Sequence, residues 1–137
     1  MKTILITGGT RGIGLATALR FSENDWNVYI TSRKDENLTE VLNNHPNLKG
    51  FVANADSEEA AIETCENIVK ETESLDVLIN NAGTNPSGGS ILDVEISRIQ
   101  KTWDVNLLGP LLWTRAAVKA GLKAVSYTHL TLPTMLM

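Results

Sequence analysis

Thr7-Gly8-Gly9-Thr10-Arg11-Gly12-Ile13-Gly14 is the stretch on which the reading of this chain turns. Before it runs Thr3-Ile4-Leu5-Ile6-Thr7, short and apolar up to the glycines, which suits a strand buried on both faces. After it, apolar residues at Ile13, Ala16 and Leu19, flanked by Leu15 and Ala18, predict a helix over 13–21. A turn of this kind needs its glycines for three separate reasons. One permits a tight turn, one lets the backbone approach a pyrophosphate with no Cβ between them, and one lets helix and strand pack closely. The helix start adds free N–H groups and a partial positive charge that favour an anion.

Working outward, the same alternation repeats. A strand is predicted over 27–31, a short helix over 35–42 that stops before Pro46, and a strand over 48–53. Ser57 is placed to cap a helix reaching about 73, with Glu58 and Glu59 in the first turn where the helix dipole favours anions. A fourth strand over 75–80 ends in Asn80-Asn81-Ala82-Gly83, and a long helix follows Asp93, interrupted near Gly109-Pro110. Four strands alternating with helices predict parallel β-α-β units with right-handed crossovers, hence an α/β fold with a doubly wound parallel sheet. Ligands of such sheets bind beyond the carboxyl ends of the strands, and every motif considered below falls at one of those ends.

The whole chain sets the bounds. Its 137 residues make one modest domain, and 42% hydrophobic with 20% charged residues is an ordinary globular balance. Twelve basic residues are scattered among sixteen acidic ones, which gives neither a nucleic-acid surface nor an anionic-membrane surface. No apolar run approaches the roughly 20 residues of a membrane span. The chain opens directly into a strand, with no signal-peptide pattern, so the expected setting is cytoplasmic. Cys65 is the only cysteine, expected to be a half-buried structural thiol, and no metal is expected.

The spacing Gly8, Gly12, Gly14 departs from the common G-x-G-x-x-G pattern, and it lacks the Lys-Ser/Thr ending of an ATP-binding loop. Thr-Gly-x-x-x-Gly-Ile-Gly at the amino terminus, followed far downstream by Asn-Asn-Ala-Gly, resembles the short-chain dehydrogenase/reductase family in its compact single-domain branch. The resemblance covers residues 1 to about 123. It implies a Rossmann-like fold, of which this chain holds the amino-terminal half, and hydride transfer between a nicotinamide dinucleotide and a small-molecule carbonyl or alcohol. It also implies that Gly8, Gly9, Thr10, Arg11, Gly12, Ile13 and Gly14 line the cofactor.

An acidic residue about 20 positions after such a loop would hold a ribose 2′-hydroxyl, and an arginine there suits a 2′-phosphate. At that place stand Thr31-Ser32-Arg33-Lys34. Arg33 can hold a phosphate bidentately, and Arg11 lies where relatives that prefer NADP often carry a second basic residue. Asp35 and Glu36 follow closely and compete, but the balance favours NADP(H) over NAD(H).

The resemblance assigns adenine contacts to Asn54 and Ala55, with Asp56 as an alternative register. Asn81, Ala82 and Gly83 are small residues against which a dinucleotide can lie, and the Asn81 amide can tie neighbouring strands together. Asn106, in Trp103-Asp104-Val105-Asn106, matches the helical active-site asparagine that holds a water in a proton relay; Pro110 removes the i+4 donor from its carbonyl. The catalytic serine, tyrosine and lysine are expected after Asn106 and are not found. Ser126-Tyr127 is given no role, because the residue four after Tyr127 is Thr131 rather than lysine.

From Ala124 to Met137 there is no charged residue, and the stretch Val125-Ser126-Tyr127-Thr128-His129-Leu130-Thr131-Leu132-Pro133-Thr134 resembles the in-frame translation of a transposase-type sequencing adapter. Residues 1–123 are therefore read as a truncated dinucleotide-binding domain and 124–137 as a non-native tail. The 137-residue chain itself is expected to be inactive, and a non-catalytic dinucleotide-binding module is the alternative to an enzyme. The helical stripe Ile96, Ile99, Trp103, Leu107 and Leu111 fits either an oligomer interface, as the resemblance suggests, or ordinary core packing.

Overall fold

In a computed structural model of the chain, residues 1–85 and 89–123 are described. Strands β1 (Thr3–Ile6), β2 (Asn27–Ser32), β3 (Leu48–Val52) and β4 (Val77–Ile79) form one parallel sheet in the order β3-β2-β1-β4. Ile4 stands opposite Val28 on one side and Val77 on the other. The chain thus steps outward from β1 to β3 and then crosses back to β4 on the far side of β1. That reversal opens a crevice at the carboxyl ends of β1 and β4.

Strand residues alternate between two cores, as a period of two requires. Leu5 and Tyr29 point to a layer made by Ala61, Cys65 and Ile68 of α3 (Glu58–Thr72) and by Trp113, Ala116 and Ala117 of α5 (Gly109–Ala120). Ile4, Ile6, Val28 and Ile30 point to the opposite layer, with Ala18 of α1 (Gly12–Ser22) and Leu38 of α2 (Asp35–Asn44). The sheet is therefore covered on both faces, and the doubly wound expectation holds.

Several local expectations are corrected. The inward face of α1 is Gly14 and Ala18, with Leu15 and Leu19 beside them, whereas Ile13 is 80% exposed and Ala16 is exposed. Gly14 abuts the strand ends, and that contact sets which face of the helix turns inward. Cys65 is fully buried rather than half-buried, and burial, reinforced by the charge of Glu66, pushes its thiol up to about 12. β4 spans only Val77–Ile79 and is half-buried, because it pairs with β1 alone and forms the sheet's edge.

The segment after Asp93 is not one helix broken at the proline. It consists of α4 (Ile96–Trp103), a π turn (Asp104–Leu108) and α5. Pro110 sits in the first turn of α5, and the irregularity lies upstream, where the Gly109 N–H donates to the Asp104 carbonyl, five residues back. Core packing does not explain the apolar stripe of these helices: Ile96, Ile99, Trp103, Leu107 and Leu111 are each between 44% and 76% exposed. Among the described residues no helix is long and apolar enough to cross a membrane.

Candidate functional site

The glycine turn is built onto three strand ends. The Gly8 N–H donates to the Thr31 hydroxyl at 3.2 Å and the Gly9 N–H to the Thr31 carbonyl at 3.0 Å, which anchors the turn on β2. On the other side the Thr7 hydroxyl accepts the N–H groups of Asn81 and Ala82 at 3.1 and 3.0 Å. The Asn81 amide donates to the carbonyls of both Thr7 and Gly8, at 3.0 and 2.9 Å. The expected strand tie is present, and it reaches further than expected, because it clamps the glycine turn itself.

Glycine is required here by close approach and by backbone shape. A Cβ on Gly14 would collide with the Asn81 amide and stand 2.5 Å from the Gly8 carbonyl. Gly12, at φ +56°, occupies left-handed space, and a Cβ there would meet nothing within 4 Å. The mouth of the turn is thus open, and it opens onto the start of α1. That helix has no side-chain cap: Arg11 stands at the N-cap in extended conformation and makes no capping bond. The first-turn N–H groups of Gly12, Ile13 and Gly14 have no intrahelical partner by geometry. Together these features make a cradle shaped for an oxyanion.

Charge around the cradle agrees with this chemistry. Arg11 and Arg33 are exposed, and among the described residues neither pairs with a carboxylate. The Ser32 hydroxyl accepts the Lys34 N–H at 3.2 Å and donates to the Lys34 carbonyl at 3.0 Å, which turns the chain around Arg33. Asp35 and Glu36 are spent in the first turn of α2, where they favour the helix dipole. A surface groove of about 530 Å³ lies elsewhere, along Glu58, Glu59, Ile62, Glu63 and Glu66 of α3. Its carboxylates would repel phosphate, so the groove is no rival to the crevice.

The connection after β3 begins with the Ala53 N–H on the Ser32 carbonyl at 2.8 Å, which sets Asn54 and Ala55 beside the end of β2. Asn54 is exposed and Ala55 half-buried. Asn106 lies in the π turn, and its amide is engaged with one residue: its Oδ1 accepts the Thr84 N–H at 2.7 Å and its Nδ2 donates to the Thr84 carbonyl. The side chain therefore holds the loop after β4. Its own backbone carbonyl lacks the usual i+4 donor, since Pro110 has no N–H. Asn80 reaches the Thr114 hydroxyl of α5 at 3.1 Å. Gly83 follows the clamp and is exposed.

Reading the sequence missed Thr7 and Thr31 as builders of the site. Thr7 and Thr31 are polar residues closing apolar strands immediately before the loops they organise, a signal open to inspection. The pairing of Thr84 with Asn106 had none, because it is made by the backbone atoms of Thr84. Residues 86–88 of the loop after β4, and the tail 124–137, lie outside the described residues.

Comparison with known proteins yields concordant similarities. The family model described as short chain dehydrogenase matches residues 2–126. The human protein named Dehydrogenase/reductase SDR family member 4 is 34% identical over 127 residues, covering 85% of this chain and 44% of its own length. The solved structure of ElxO with NADP bound is 35% identical, with a TM-score of 0.78 over 86% of this chain and 49% of that one. A NAD+-bound xylitol dehydrogenase is 27% identical, with a TM-score of 0.80 over 87% of this chain and 47% of that one. The chain spans less than half the length of these relatives.

Proposed function

The chain belongs to the short chain dehydrogenase family, and from that premise we propose that its crevice binds a nicotinamide dinucleotide, NADP(H) in preference to NAD(H). We place it as the cofactor half of an oxidoreductase acting on a small-molecule carbonyl or alcohol. The observation that carries this reading is the uncapped start of α1, open at Gly12 and flanked by Arg11 and Arg33, neither of which pairs with a carboxylate among the described residues. A pyrophosphate fits a cradle of N–H donors with no Cβ in the way, and a 2′-phosphate fits two free guanidiniums.

In this reading Gly8, Gly9, Thr10, Gly12, Ile13 and Gly14 hold the pyrophosphate, with Arg11 and Arg33 on the 2′-phosphate. Asn54 and Ala55 border the adenine, while Asn81, Ala82 and Gly83 form the floor toward the nicotinamide. When bound, the dinucleotide supplies or accepts the hydride at nicotinamide C4. Asn106 keeps the floor loop in place through Thr84, and its carbonyl, left without the Pro110 donor, is the acceptor we assign to a relay water. The NADP of ElxO supports the cofactor preference; the NAD+ of the xylitol dehydrogenase shows that this fold accepts either.

The domain we assign is 1–123, in a cytoplasmic setting, supported by a lone cysteine that leaves no intramolecular disulfide. A second copy of the chain covers the stripe from Ile96 to Leu111 in the same reading, supported by its five exposed apolar side chains. Titration of the purified chain with NADPH and NADH, followed by nucleotide fluorescence, tests the cofactor assignment. Tighter binding of NADPH is expected, and Arg33→Ala should remove at least about tenfold of its affinity, as loss of a charge-assisted phosphate contact does. Equal affinities, unchanged by the substitution, would sink the NADP preference. No turnover of carbonyl substrates is expected from the 137-residue chain, for want of an acid to protonate the substrate oxygen.

A further inference from the structure

The loop 53–56, which leads from β3 toward α3, is gripped from outside by a single helical unit. Trp113, only 1% exposed, donates its indole N–H to the Ala55 carbonyl at 3.0 Å. Gly109, one turn earlier on α5, approaches so closely that a Cβ would stand 2.8 Å from that same carbonyl oxygen. Lys101, on α4, pairs with the Asp56 carboxylate at 2.8 Å. Gly109 and Trp113 are four apart and share a helix face as a matter of course. Lys101 and Gly109 are eight apart, and in an unbroken α-helix the eighth residue falls well past two full turns. The π turn between them absorbs one extra residue, and this brings Lys101 back into line with the other two.

We propose that Trp113, with Gly109 and Lys101, is a positioning set for the adenine end of the cofactor. The proposal rests on the cofactor reading given above. The Trp113 hydrogen bond is partly buried, its donor ring fully so, and it fixes the height of the Ala55 peptide; the bare Cα of Gly109 permits that approach. The exposed Lys101 pair adds little by itself and serves to orient Asp56. The π turn that aligns the three also carries Asn106, whose amide holds Thr84 on the opposite side. One helical unit therefore sets the loop under the adenine and the loop under the nicotinamide relative to each other.

The test uses the 137-residue chain with Trp113→Phe, which keeps an aromatic ring and removes the donor, and with Gly109→Ala as an independent probe. Affinities are measured for NADPH and for adenosine 2′,5′-bisphosphate. Saturation-transfer NMR on NADP+ compares the adenine protons with the nicotinamide protons. Each variant should bind both ligands about fivefold more weakly, the factor one neutral hydrogen bond is worth. The adenine signals should weaken relative to the nicotinamide signals, a change that general loosening of the fold would not produce. Gly109→Ala pushes the Ala55 backbone away without touching the indole donor; alanine's helix preference offsets only part of that overpacking, so a lower melting temperature is expected and the adenine-to-nicotinamide comparison is the deciding readout. Unchanged affinity in both variants overturns the proposal, and so does a loss shared equally by the two ends of the nucleotide. Failure of the unaltered chain to bind NADPH overturns the cofactor reading itself, which separates the two failures.

Discussion

Two helices of this chain begin in opposite ways. α3 starts on its own anion chemistry: the Ser57 hydroxyl accepts the Ala60 N–H at 3.1 Å, and Glu58 and Glu59 fill the first turn. α1 starts with Arg11 at the N-cap, no capping bond, no acid in the first turn and a glycine where a side chain would stand. A helix start presents the same orphan N–H groups wherever it occurs. α3 caps one of its own from within, while α1 leaves them facing the crevice at the reversal of strand order. An unfinished helix start stays available to a ligand when the strands around it are built to hold it open. Here that work falls to Thr7, Thr31 and the Asn81 amide.

The contrast can be broken most severely at Gly14. Alanine there would gain up to about 1 kcal/mol of helix preference, yet it overpacks rigid backbone at a cost of about 1–3 kcal/mol. The second effect should win, because the Gly8 carbonyl and Asn81 amide are held by hydrogen bonds and cannot withdraw. Denaturant unfolding should show lower stability for Gly14→Ala, together with loss of NADPH binding. A variant as stable as the parent would mean that the clamp is looser than its distances indicate.

Arg11→Asp would make α1 begin as α3 does. A carboxylate at the N-cap should raise helix stability by about 1 kcal/mol, while its charge and its occupation of the first-turn N–H groups oppose an incoming phosphate. NADPH affinity should fall more than tenfold as the melting temperature rises. If affinity survives, the start of α1 is not where the phosphate sits.

The converse change, Ser57→Ala, removes the cap of α3 and should cost about 1 kcal/mol in unfolding experiments, with NADPH affinity altered less than twofold. The smallest effect is pH-dependent and concerns the buried side of α3. Because the Cys65 thiol is raised from 9.0 to about 12, the unfolded chain loses that proton first as pH rises. Its contribution to stability is complete below pH 9 and declines between pH 9 and 12. A Cys65→Ala variant should flatten that alkaline decline slightly, and alkylation of the native thiol near neutral pH should be slow.

The central strands were legible because a strand covered on both faces must be apolar throughout, as Ile4-Leu5-Ile6 and Val28-Tyr29-Ile30 are. The glycine turn was legible because its neighbours on either side had unambiguous periods. β4 was read too long, since its apolar run says nothing about how many strands will pair with it. The inward face of α1 is not legible from its apolar positions, because Ile13 is 80% exposed and Gly14 is the contact that orients the helix. The interruption before α5 was correctly located within a few residues and wrongly attributed. Pro110 announces itself in any sequence, whereas a π turn has no residue signature and arises from what the helix must reach on either side.

The α/β alternation, the glycine turn, the basic residues beside it and the asparagines at Asn81 and Asn106 are written in residue types at short spacing, and so are readable from the chain alone. Tertiary structure alone decided that Asn81 clamps the turn, that Asn106 spends its amide on Thr84, and that Trp113 reaches Ala55 across 58 positions of chain. Those contacts join segments whose relative height is set by strand register and by the extra residue of the π turn. Such quantities exist only once the sheet and its helices have packed.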